Sequence, residues 1–153
     1  MQPLNLPGFP FKVTEADGKK MIFDPVRKKR LVLTPEEWVR QHFIQFLIRE
    51  KGYPAGLLRL EAKVMHYRRS GRYDALFLNR SGKPVLLIEC KAPKVKIESE
   101  TFEQAVRYNS SVGSPYIALT NGMEHFFMRV DNREGRVNFL PEIPEYHYLS
   151  TDI

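Results

Sequence analysis

The stretch RYDALFLNRSGKPVLLIECKAPK, residues 72–94, decides how the chain folds. Its run Val85 to Ile88 is uniformly apolar, as in a strand covered on both faces, yet Glu89 and Lys91 follow at once. Charges left unpaired at such a place cost several kcal/mol, so they need a partner or a cation. The NRSGK segment is a turn signal, and residues 73–78 and 85–91 are therefore expected to form a β-hairpin. Side chains alternate along a strand, which sets Glu89 and Lys91 on one face and Cys90 on the other. Asp74, on the partner strand, comes within reach of Glu89.

Working outward, Pro93 stops this strand and a helix is expected over residues 99–110, with Phe102, Ala105 and Val106 facing inward. YIALTNG and HFFMRV then read as two strands joined at Asn121-Gly122. On the other side, LLRLEAKVMHY alternates apolar and polar residues as one half-buried strand, and RRSGR reads as a basic turn. Thr34-Pro35-Glu36-Glu37 is a helix start: an N-cap, a proline at the first helical position and a capping-box glutamate. The helix it opens carries Trp38, Phe43, Phe46 and Leu47 and stops at Gly52. KKMIFDPVRKKRLVL reads as a hairpin about Asp24-Pro25. Residues 1–18 read as an irregular arm and residues 141–153 as a tail, around one domain spanning 1–153.

The expected fold class is α/β, a mixed β-sheet flanked by helices. A chain of 153 residues with 42% hydrophobic and 27% charged residues can bury one core. Twenty-four Lys and Arg against 18 Asp and Glu give a formal charge of +6, which favours polyanionic partners or simply solubility. One cysteine, Cys90, excludes an intrachain disulfide, and no segment is long and apolar enough to span a bilayer, so the expectation is a cytoplasmic protein with no membrane partner. His42, His66, His125 and His147 have no paired ligand spacing, and no zinc site is expected.

Asp74, Glu89 and the Cys90 carbonyl offer the oxygen donors that a hard cation such as Mg²⁺ takes, with Mn²⁺ as a possible substitute. Such a cation stabilises charge on a scissile phosphate and acidifies a bound water, which Lys91 could orient. The competing reading is a buried ion-pair network of Glu89, Lys91, Asp74 and Arg72 with no chemistry. Among the basic clusters, Arg68, Arg69 and Arg72 stand beside Asp74 and are the candidate contacts to a DNA backbone.

With YD in place of PD and ECK as the ExK element, the arrangement resembles the PD-(D/E)xK nuclease superfamily. FEQAVRYN adds Gln104 and Tyr108 as Q-x-x-x-Y on one helix face, and this is similar to the N-terminal nuclease domain of type I restriction enzyme R subunits. The likeness extends from Thr34 to about TNG at 120–122. It implies a restriction-endonuclease-like fold and a Mg²⁺-dependent DNA endonuclease in which Asp74, Glu89, Lys91, Gln104 and Tyr108 serve catalysis. It also makes Glu37 the candidate acid of the first helix, ahead of Glu36 and Glu50. Helicase or translocase and methyltransferase or specificity subunits are implied partners in trans. Two departures stand out: Tyr73 replaces the motif proline, and no G-x-x-x-x-G-K-[ST] phosphate loop occurs, so the ATP-driven motor of those subunits is missing from this sequence. A non-cleaving nucleic-acid-binding module and a purely structural domain on the same scaffold remain the alternatives.

Overall fold

The apolar run of residues 85–88 becomes the centre of the protein because both of its faces are covered. The computed structural model describes residues 1–60, 63–66, 69–72 and 74–150. In chain order the elements are β1 (Val13–Ala16), β2 (Lys19–Asp24), β3 (Lys29–Val32), α1 (Pro35–Glu50), β4 (Leu58–Leu60), β5 (Lys63–His66), β6 (Arg69–Arg72), β7 (Ala75–Leu78), β8 (Pro84–Cys90), α2 (Ser99–Val112), β9 (Tyr116–Thr120), β10 (His125–Asp131), β11 (Arg136–Leu140) and α3 (Tyr146–Ser150). Six strands form the main sheet in the order β11-β10-β9-β8-β7-β4. Among the described residues only β8 and β9 run parallel, and α2 makes the crossover that a parallel pair requires.

Helix α1 covers one face of this sheet. Val39, Phe43 and Leu47 bury against Ala75, Phe77, Leu86, Ile88 and Cys90. Helix α2 covers the other, where Ala105, with Phe102, Val106 and Tyr108, meets Leu76, Leu87, Ile117 and Leu119. Each fully buried Leu, Ile or Phe contributes about 1.5–3 kcal/mol, which makes this two-sided core the main stabilising feature.

Local signals explain both helices. At α1, Thr34 Oγ1 accepts a hydrogen bond from the Glu37 amide at 3.0 Å, and Pro35 fills the first turn. The expected reciprocal arm of a capping box does not form there, because the Glu37 carboxylate is taken by Arg40 and Gln41 one turn on. Helix α2 does have a reciprocal box, between Glu98 and Thr101, and ends at Gly113 in the left-handed region.

Three further sequence expectations need correction. LLRLEAKVMHY is not one strand: Leu58–Leu60 pairs with β7, whereas Lys63–His66 pairs with β6. RRSGR is not a turn, since Arg69–Arg72 is a strand whose Gly71 stands opposite Val64. Alternation is the same for any strand and does not say which partner takes it. The third concerns the termini. The arm is irregular only to residue 12, for Val13–Ala16 adds β1 to an antiparallel three-stranded sheet with β2 and β3, and the tail carries α3.

The arm is stitched to the body. The Asn5 amide donates to the Gly122 carbonyl at 2.8 Å, and the Trp38 indole donates to the Gln2 carbonyl at 2.8 Å. Gly122 has φ +85°, a backbone conformation that L side chains rarely adopt, so the TNG turn favours glycine there. Among the described residues no helix is long and apolar enough to cross a membrane.

Candidate functional site

The ladder between β7 and β8 positions the first pair of side chains. Ala75 stands opposite Ile88 at the last paired position, and Asp74 follows just outside the ladder, beside the end of β8 that carries Glu89. Asp74 is held at both oxygens: Oδ2 accepts from the Cys90 amide at 2.6 Å, and Oδ1 accepts from Arg40 Nη2 at 2.9 Å. The first bond ties the carboxylate to the strand that carries Glu89. The second ties it to α1, across the sheet end.

Glu89 is half-buried, and its carboxyl is pushed up to about 7, first by burial, then by the negative charge of Asp74, with Lys91 pulling the other way. Glu36, on the first turn of α1, is also raised, by burial and then by Asp74, while Arg40 and Lys91 oppose. Four charged groups, Glu36, Asp74, Glu89 and Lys91, thus share one field with Arg40. Lys91 leaves the strand with its amide bonded to the Thr120 carbonyl at 2.8 Å, so the base of its side chain is fixed by β9.

Glu37 sits in a neighbouring network. It is buried, pairs with Arg40 through Oε1, accepts from Gln41 Nε2 at 2.7 Å and lies 3.6 Å from Arg27. Arg27 in turn binds Asp24, which is buried at the end of β2. The chain of charges therefore runs from Asp24 through Arg27, Glu37 and Arg40 to Asp74. Despite the cost of its burial, the guanidinium of Arg40 is held firmly protonated by Glu37 and Asp74. Sequence reasoning missed Arg40, although its spacing of three from Glu37 and four from Glu36 is the helical ion-pair spacing.

Helix α2 lies over the face to which Glu89 belongs, as Leu87, two residues earlier, packs beneath that helix. Gln104 is exposed there and meets Glu100 at 3.4 Å, whereas Tyr108 packs against the core cluster under α2. Of the basic candidates, Arg69 and Arg72 bound β6, whose partner β5 runs beside α2, and Arg68 lies outside the described residues. The Cys90 thiol is buried on the α1 side and pushed well above the usual thiol range by burial, so only its backbone is available to the site. The histidines of the body are structural: His42 Nδ1 bonds the Trp38 carbonyl at 2.8 Å, and His125 bridges Thr120 and Asn5.

The donor set suits a hard divalent cation. Two carboxylates share one field at a half-buried strand end, and the charge of one raises the proton affinity of the other, the situation that a dication relieves. Among the described residues, however, no three His, Cys, Asp or Glu groups converge as a ready-made cluster. Backbone oxygen and water would have to complete the coordination.

The family described as type I restriction enzyme R protein N terminus (HSDR_N) matches residues 35–144, from the start of α1 to beyond β11. Among solved structures, the chain is similar to a fragment assigned as an HsdR subunit of a type I restriction enzyme from Vibrio vulnificus YJ016, with a TM-score of 0.58 and 19% identity over 78% of this chain. It spans 25% of the length of that structure, and the likeness is one of fold. No curated protein sequence matches. The mixed sheet between helices thus has the restriction-endonuclease-like fold of that neighbour, and the chain belongs to the family of type I restriction enzyme R protein N-terminal domains.

Proposed function

We propose that the protein is a Mg²⁺-dependent DNA endonuclease of the PD-(D/E)xK type, with Mn²⁺ able to substitute. The observation that carries this reading is the end of β8, where Asp74, clamped by the Cys90 amide and Arg40, shares one field with Glu89 and Lys91. Asp74, Glu89 and the Cys90 carbonyl would hold the cation. When bound, it would neutralise charge on the scissile phosphate and lower the pKa of a water. Lys91 Nζ orients the attacking water, while Gln104 and Tyr108 steady Lys91 or the phosphate from α2. Arg68, Arg69 and Arg72 hold the phosphate backbone.

Of the two first-turn acids, Glu36 is the one in the field of Asp74, Glu89 and Lys91, and Glu37 acts on the site through Arg40, whose guanidinium fixes Asp74. In this reading residues 1–153 are one nuclease domain of a cytoplasmic restriction complex, and translocase and methyltransferase or specificity subunits act in trans.

A second reading, a nucleic-acid-binding module that does not cut, draws support from the engagement of both Asp74 oxygens by Arg40 and the Cys90 amide. Cleavage of plasmid and linear DNA with Mg²⁺ or Mn²⁺ by the native chain, Asp74→Ala and Lys91→Ala decides between them. Metal-dependent cutting that both variants lose supports the nuclease. DNA binding without any cutting selects the second reading.

A further inference from the structure

The loop that leaves β8 carries positive charge that the site itself does not use. Lys94, Val95 and Lys96 are exposed, and no acidic residue occurs from Lys91 to Ile97. The loop is nonetheless firmly built. Its turn closes with the Val95 amide on the Ala92 carbonyl at 2.9 Å, and the buried Asn121 donates its amide to the Val95 carbonyl at 2.8 Å. Ile97 then anchors the loop in the core beneath α2, at 8% exposure. Lys91 is pinned to Thr120 by its own amide.

Thr120 and Asn121 end β9, the parallel neighbour of β8, so these bonds hold the loop over the carboxyl ends of the parallel strand pair. That rim is where Glu89 and Lys91 emerge, and it is where open α/β sheets bind their ligands. A backbone fixed at both ends has little further freedom to lose when its two lysines meet an anion, so the ordering cost is confined to their side chains. A loop that served only solubility would not need a buried asparagine to set its shape.

We infer that Lys94 and Lys96 form a phosphate-backbone contact for a nucleic-acid strand beside the Asp74–Glu89–Lys91 site. The inference rests on the DNA reading above and extends it to a surface separate from Arg68, Arg69 and Arg72. The contact is to phosphates, so it strengthens binding to any sequence and selects none.

Fluorescence anisotropy of a labelled DNA duplex, titrated with the full chain in EDTA over a range of salt, tests it. Lys94→Gln/Lys96→Gln is expected to weaken binding about tenfold at moderate salt and to lower the salt slope by about 1.8, since each lost phosphate contact removes about 0.9. Lys19→Gln/Lys20→Gln, exposed on the three-stranded sheet, removes the same net charge and serves as the control. It should change affinity much less. Both lysine pairs are exposed, so unchanged thermal melting is expected of both variants. Equal losses in the two variants, or none in the first, overturn this contact and leave the nuclease reading standing. Failure of the native chain to bind DNA at low salt, in EDTA and with Ca²⁺ alike, overturns both.

Discussion

Replacing Glu89 with glutamine is expected to stabilise the fold above neutral pH, although Glu89 is central to the proposed chemistry. Its carboxyl is raised from 4.5 to about 7, mainly by burial and next by Asp74. Between these values the folded state binds more protons than the unfolded one, so stability falls as pH rises. The protonated group's contribution is fully present below about 4.5 and is lost as pH passes through about 7. At about 1.4 kcal/mol per tenfold change in proton affinity the swing is at most about 3 kcal/mol, and partial solvent access trims it to about 2 kcal/mol. A glutamine keeps the shape without the charge. Glu89→Gln should therefore match the native chain near pH 5 and exceed it by about 2 kcal/mol near pH 8. Urea unfolding followed by circular dichroism at several pH values measures this. Millimolar Mn²⁺ should recover the native stability at pH 8 and leave the variant unchanged. A variant less stable than the native chain at pH 8 would refute the reasoning, because Glu89 would then be the partner in a stabilising ion pair.

Arg40→Met should behave in the opposite way. It takes the nearest cation from the buried Glu37 carboxylate, leaving Gln41 and the more distant Arg27, and it releases Asp74, a loss of about 3 kcal/mol. That lowers the melting temperature by about 6–12 °C in a domain of this size. Adding Glu37→Gln should recover part of the loss, and calorimetry showing under about 1 kcal/mol for Arg40→Met alone would contradict the network. Cys90, buried and held as the neutral thiol, should resist a thiol reagent at pH 8 until the chain is unfolded. Rapid labelling of the native protein would mean that the end of β8 opens readily.

Several elements were legible in the sequence for local reasons. Thr34 and Pro35 mark the start of α1, and the NRSGK and TNG turns mark hairpins whose bonds span only a few residues. The placement of Cys90 on the α1 face, opposite that of Leu87, follows from strand alternation alone. The split of LLRLEAKVMHY between two sheets was not legible, because pairing is decided by distant strands. Glu37 shows the same limit within a helix. Its position suits a capping glutamate, yet Arg40 and Gln41 offer stronger partners, and Glu36 is left to face the acidic pair.

By itself the sequence determined the apolar strand that ends in charge, the caps that delimit the helices and the turns that reverse the chain. These depend on neighbours a few residues apart, whose geometry the backbone already restricts. The tertiary structure alone decided that β8 lies parallel to β9, that the N-terminal arm crosses the Gly122 turn, and that Arg40 reaches Asp74 across 34 residues of chain. Such contacts form only when the two-sided core has brought α1 and the sheet together, because loop closure over that distance must first be offset by apolar burial.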